Sequence, residues 1–96
     1  MDHTKMKGAS HLDQLASLRR IEGQVRGIQR MIGKERYCAE ILNASAAIRG
    51  ALRRVEMVIF KDHLNSCIRN AFYGSSKKAK QEKLKEIYQL LENLRK

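Results

Sequence analysis

Cys38, His63 and Cys67 are the residues of this 96-residue chain whose types and spacing could do chemistry. His63-x-x-x-Cys67 places an imidazole and a thiol one turn apart on one helix face, a two-pronged grip for a metal ion. On its own, that spacing equally suits a buried cysteine beside a surface histidine. Cys38 adds a constraint. On one continuous helix, Cys38 and Cys67 stand 29 residues apart, about 43 Å, too far to share an ion within one chain. Two such helices packed antiparallel about a two-fold axis bring Cys38 of one chain to the His63 and Cys67 end of the other, twice per dimer. The axis would cross near residues 51–52, beside Ala46-Ala47-Ile48-Arg49-Gly50-Ala51. Small side chains there let two backbones approach, although alanines also simply favour helix. Two thiolates and one imidazole suit a soft monovalent ion in a three-coordinate site, with Cu(I) first, whereas structural Zn(II) normally takes a fourth ligand. Ligation requires deprotonated sulfur, so affinity falls at low pH.

The elements that must position these residues read as all-α, because three segments show helical apolar periodicity and none shows sustained alternation. The first runs from about Ser10, with Leu12, Leu15, Leu18, Ile21, Val25, Ile28 and Ile32 at spacings of three and four; Ser10-x-x-Asp13 resembles a capping box and Gly33 closes the helix. The second starts near Arg36 or Tyr37 and continues past Cys67 to about Phe72, with Ile41, Leu42, Ser45, Ile48, Leu52, Val55, Ile59, Leu64 and Ile68 on one face. Gly74 followed by Ser75 and Ser76 reads as a C-cap and then an N-cap. The third, from about Lys77, carries Leu84, Ile87, Leu91 and Leu94 on a narrow stripe among charges. Residues 1–9 read as a mobile tail and residues 10–96 as a single helical domain.

Composition bounds the partners. Twenty Lys and Arg against ten Asp and Glu give a net charge of +10, which points to a polyanion, and nucleic acid leads. No run approaches the roughly 20 apolar residues of a spanning helix, so no membrane partner is expected. The polar start Met1-Asp2-His3-Thr4-Lys5 lacks a secretory apolar core, and two reduced cysteines fit the cytoplasm. A chain this short, with no Trp and aromatics at 5%, gains from oligomerisation. Arg19, Arg20 and Arg26 on the first helix, with Arg49, Arg53 and Arg54 near the middle of the second, would form a basic face for duplex DNA. An enzyme with a cysteine nucleophile and His63 as base is disfavoured, because no acidic partner at a readable spacing orients the histidine. A helical protein that stores or transfers copper without binding DNA is the rival from another class.

The run from Arg19 to Ile32, Arg-Arg-Ile-Glu-Gly-Gln-Val-Arg-Gly-Ile-Gln-Arg-Met-Ile, then Tyr37-Cys38 and His63-Leu64-Asn65-Ser66-Cys67, closely resembles the copper-sensitive operon repressor family over about residues 10 to 95. The resemblance implies a three-helix protomer, an antiparallel dimer and a dimer of dimers. It implies that Cys38 of one protomer and His63 and Cys67 of its partner bind the metal. It also implies that the apo form binds operator DNA as a repressor and lets go when Cu(I) occupies the site. Tyr37 matches the family's usual tyrosine, placed to hydrogen-bond near the histidine. Arg54 matches a basic position typical of the family, whereas Ser17 stands where relatives often have Arg. The family's copper members place an outer glutamate early in the third helix; by counting, Lys83 stands there, with Glu82 and Glu86 beside it. A nickel and cobalt branch adds an N-terminal histidine, whose position here is about Met6, with His3 in the same tail. Persulfide sensors usually lack the histidine and formaldehyde sensors lack the second cysteine. Nickel, cobalt or thiol-stress sensing is therefore the alternative within the family, behind copper.

Overall fold

The chain enters its first helix through a single 3₁₀ turn, Leu12–Gln14, and not through a side-chain cap. The computed structural model describes residues 10–69, 73 and 76–96, without the side chains of Cys67 and Ile68. The expected tail over residues 1–9, with His3 and Met6, the caps at Gly74 and Ser75, and the helix end near Phe72 lie outside the described residues. α1 spans Leu15–Gly33, α2 spans Cys38–Asp62, a π-helical turn covers His63–Ile68, and α3 spans Lys77–Arg95. The described residues contain no strand, so the fold is the expected all-α, three-helix one.

Four local features correct or confirm the sequence reading. The Ser10–Asp13 capping box does not form, because the Gln14 N–H donates to the His11 carbonyl at 2.9 Å and Asp13 sits inside the 3₁₀ turn. Gly33 is the last helical residue of α1, but the left-handed residue that ends the helix is Glu35, at φ 52°. The Arg36 N–H donates to the Met31 carbonyl at 2.9 Å and the Glu35 N–H to that of Ile32 at 3.1 Å, the bond pattern of a Schellman ending. α2 begins at Cys38, where the Tyr37 carbonyl accepts from the Glu40 and Ile41 N–H groups at 3.0 and 3.3 Å. Ser76 caps α3 as expected, its hydroxyl oxygen accepting from the Ala79 N–H at 3.3 Å.

The chain divides into two compact units, one of residues 10–58 and one that begins at Ile59. In the first, Ile21 of α1 and Val55 of α2 are buried, at 8% and 4% exposure. Leu18, Val25 and Ile32, seven residues apart along α1, stay more than a third exposed. Leu42 is 67% exposed and so leaves the face assigned to it, because it lies about 100° round the helix from Ile41. In the second unit the half-buried side of α3 comprises Ala79, Lys83, Glu86, Ile87, Leu90 and Leu94. The expected stripe is thus displaced: Ile87 and Leu94 keep their places, Leu84 and Leu91 are exposed, and two charged side chains lie on the covered side.

Candidate metal centre and nucleic-acid interface

Each candidate ligand is placed by a helix end or a helix irregularity. Cys38 is the first residue of α2, exposed and carrying a free thiol. Beside it, Tyr37 is exposed, and Arg36 donates through Nε to Glu40 at 3.0 Å across the start of the helix. His63 follows the last residue of α2 and opens the π-helical turn, which also holds Cys67. Single π turns are uncommon and concentrate at functional positions. Asn65 and Ser66 lie inside the turn, and such short polar side chains compete with α-helical backbone bonds. The expectation of uninterrupted α-helix through Cys67 is therefore corrected at the candidate ligand positions.

The His63 ring is held from α3. Its Nε2 lies 2.6 Å from Glu86 Oε1, a contact between residues 23 apart in sequence, with both side chains about three-quarters covered. Lys83 Nζ lies 3.5 Å from the other oxygen, Glu86 Oε2, and is still less exposed, at 13%. Burial pushes the Glu86 carboxyl up, but the hydrogen bond with His63 and the positive charge of Lys83 outweigh it, and the group titrates below its ordinary value. Against a carboxylate at Glu86, a neutral His63 ring donates from Nε2 and keeps its lone pair on Nδ1, the nitrogen then open to a metal. Of the two glutamates expected near the histidine, Glu86 reaches it, whereas Glu82, one turn earlier and about 40° round α3, is exposed. Lys83, placed by counting at the family's outer-glutamate position, takes part by pairing with Glu86, a contact the sequence reading did not foresee. The available signal was its spacing of four and seven from Ile87 and Leu90, which places it on the same helix side.

Among the described residues, no group of three or more His, Cys, Asp or Glu side chains gathers that would hold a metal. Cys38 and His63 belong to different units. The donor types nevertheless fit a soft ion: a free thiol at Cys38, a second cysteine in the turn, and an imidazole whose Nε2 is already committed.

All six candidate DNA-contacting arginines are exposed and lie in the unit of residues 10–58. At 100° per residue, Arg19 and Arg26 share the side of α1 opposite the buried Ile21, while Arg20 stands about 100° away. Arg49 and Arg53 share a side of α2, and Arg54 lies about 100° further round. Along each helix the arginines thus occupy more than one angular strip. Arg26 has a loose partner in Glu22 at 3.7 Å, with both side chains about two-thirds exposed. No helix among the described residues is long and apolar enough to cross a membrane.

Two curated repressors and two solved structures are similar to this chain. It is 41% identical over 66 residues to the copper-sensing transcriptional repressor CsoR of Bacillus subtilis, covering 68% of this chain and 65% of that protein. It is 46% identical over 54 residues to the copper-sensing transcriptional repressor RicR of Mycobacterium tuberculosis, covering 56% of each. The matched stretches thus span less than two thirds of either repressor. The Cu(I)-bound copper-sensing repressor CsoR of Geobacillus thermodenitrificans shares the fold at a TM-score of 0.80 and 33% identity, covering 95% of both chains. The nickel-responsive transcriptional regulator InrS does so at 0.72 and 34%, covering 94% of this chain and 98% of that one. Residues 10–93 match the family model described as metal-sensitive transcriptional repressor. The chain accordingly belongs to the metal-sensitive transcriptional repressors, a regulatory family and not an enzymatic one.

Proposed function

We propose that this protein is a cytoplasmic repressor that binds double-stranded operator DNA in its apo form and releases it when Cu(I) binds between two chains. The observation that carries the reading is the His63–Glu86 contact, which commits Nε2 and leaves Nδ1 for a metal beside a second cysteine in the same turn. Cys38 of one protomer joins His63 and Cys67 of the partner subunit, because Cys38 opens α2 and His63 follows its last residue. Homodimers carry two such sites and pair into homotetramers. The exposed strip of Leu18, Val25 and Ile32 supports association, since a lone chain leaves it wet.

Within the site, Glu86 orients the ring, and Tyr37 beside Cys38 supplies a hydroxyl for the outer shell. Glu82 stands further out. When bound, the metal supplies a link between two chains through their thiolates and imidazole. DNA is held by Arg19, Arg20, Arg26, Arg49, Arg53 and Arg54, whose guanidinium groups suit phosphate oxygens. Metal releases DNA only to the extent that it binds the DNA-free arrangement more tightly, about 1.4 kcal/mol for each tenfold loss of DNA affinity.

Nickel is the second reading, favoured by the similarity to InrS. The deciding experiment is DNA binding, by fluorescence anisotropy, to the segment upstream of the protein's own gene, with Cu(I), Ni(II) or no metal. Tight apo binding released by Cu(I) alone is the expected result. Release by Ni(II) alone establishes the nickel reading, and metal binding without DNA binding would establish a copper-storage protein.

A further inference from the structure

We infer that Lys83 is a positioning residue for the metal-ligand histidine: through Glu86 it fixes which ring nitrogen of His63 faces the site. The inference rests on the proposed role of His63, but its geometry stands apart from any metal. Lys83 and Glu86 occupy the half-buried side of α3 with Ile87, Leu90 and Leu94, while Leu84 and Leu91 are exposed. A lysine on the covered side of a helix with leucines turned to water is the reverse of what burial favours. The arrangement needs a compensating contact, and there is one. Lys83 Nζ lies 3.5 Å from Glu86 Oε2, and Glu86 Oε1 lies 2.6 Å from His63 Nε2.

The two carboxylate oxygens thus have separate partners. A free carboxylate can rotate about its terminal bond and offer either oxygen, or water, to the ring. With Oε2 tied to the ammonium of a side chain only 13% exposed, that rotation is opposed and Oε1 stays directed at Nε2. The chain Lys83, Glu86, His63 then places the proton on Nε2 and leaves Nδ1 bare. Exposed lysine–glutamate pairs three residues apart on a helix contribute little. Lys83 differs because its pair is covered and because Glu86 is engaged through its other oxygen as well.

The test reads the tautomer of the His63 ring in the full-length apo protein, by nitrogen chemical shifts of labelled histidine, at a pH where the ring is neutral. Wild type should be predominantly protonated on Nε2. Lys83→Met should move the ring toward a mixture of tautomers, and Lys83→Arg should restore the wild-type spectrum. Cu(I) affinity should fall roughly tenfold in Lys83→Met, the lower end of outer-shell effects, and recover in Lys83→Arg. Should Lys83→Met lose helicity, Lys83→Gln is read in its place. An unchanged tautomer in Lys83→Met or Lys83→Gln, while Glu86→Ala shifts it, overturns the inference and leaves Glu86 acting alone. A tautomer shift in Lys83→Met together with unaltered Cu(I) binding in Cys38→Ala upholds the positioning role and instead overturns the two-chain metal site.

Discussion

The two units of this chain carry the same sign of charge in different chemical forms. Residues 10–58 hold eight of the ten arginines and a single lysine, whereas residues 59–96 hold seven lysines and two arginines. Polar pairing differs too. In the first unit Arg26 pairs with Glu22 and Arg36 with Glu40, each four residues apart and exposed, as Arg95 and Glu92 pair locally near the end of α3. In the second, His63 and Glu86 meet across 23 residues and are largely covered. Arginines with weak local partners readily exchange them for phosphates, and their planar heads suit two-point contact. A covered histidine with its partner already in place is preorganised for a ligand. On the proposed reading, DNA goes to the arginine-rich unit, which also carries Cys38, and the candidate histidine ligand with its partner Glu86 lies at the end of α2 with α3.

That division can be broken most severely at Cys38. Cys38→Ala should abolish release of DNA by Cu(I), with a loss of affinity beyond the roughly 10–100-fold typical of outer-shell changes, because a soft ion depends most on its thiolates. Apo DNA binding should change little, and His63→Ala should lower Cu(I) affinity less than either cysteine change. A full copper response in Cys38→Ala, measured by anisotropy titration, would remove Cys38 from the site.

A smaller effect is expected at Glu86. Glu86→Gln should weaken Cu(I) binding roughly 10–100-fold with little change in apo DNA affinity. It should also alter the acid limb of stability. The Glu86 carboxyl titrates below 4.5, so its pairing contributes fully above that ordinary value and is lost as the pH falls through the lower folded value. Thermal melts of wild type and Glu86→Gln should therefore converge as the pH is lowered through that range. A constant offset at every pH would show that the pairing adds nothing to the fold.

How much of this was legible in the sequence follows from the range of the interaction concerned. α1, α2 and the Ser76 cap are set by local periodicity and neighbouring side chains, and these were readable. The candidate donor types and the His63-x-x-x-Cys67 spacing are likewise read from the chain itself. α3 was ambiguous because Leu84, Ile87, Leu90, Leu91 and Leu94 offer two overlapping stripes. Which of them is covered depends on the elements packed against α3, and only the structure chooses the one that includes Lys83 and Glu86. The choice between Glu82 and Glu86 as the histidine's partner is decided by the same rotation. The π turn at His63–Ile68 has no apolar signature, since it shifts backbone bonds by one residue and leaves composition unchanged.

The DNA side of the comparison predicts a graded result. Arg54→Ala should reduce the log–log salt slope of operator binding by about 0.9, the share of one phosphate contact on duplex DNA. Lys85→Ala, at an exposed position on α3, should leave the slope unchanged. Cu(I) affinity of the DNA-free protein should be unaltered in both. Equal slopes for Arg54→Ala and wild type would move the interface to other basic strips, with Arg19 and Arg26 the first to try.

The smallest effect lies between the two candidate surfaces, at Glu35. It adopts a left-handed backbone conformation, φ 52°, where a side chain costs roughly 1–2 kcal/mol relative to glycine. Glycine has more unfolded-state freedom to lose, which offsets part of that gain. Glu35 is exposed, and the two Schellman bonds that end α1 use only backbone atoms, so Glu35→Gly removes no packing and no helix-ending bond. Stability should rise by about 0.5–1 kcal/mol, read as a higher denaturant midpoint at unchanged slope. The effects on operator affinity and Cu(I) affinity should both be negligible, because the change leaves the candidate ligands and the six candidate DNA-contacting arginines in place. A Glu35→Gly protein with weaker Cu(I) binding would instead show that the turn ahead of Cys38 must be held in one conformation for its thiol to reach the partner subunit. The division of labour between the two units would then have to include the turn.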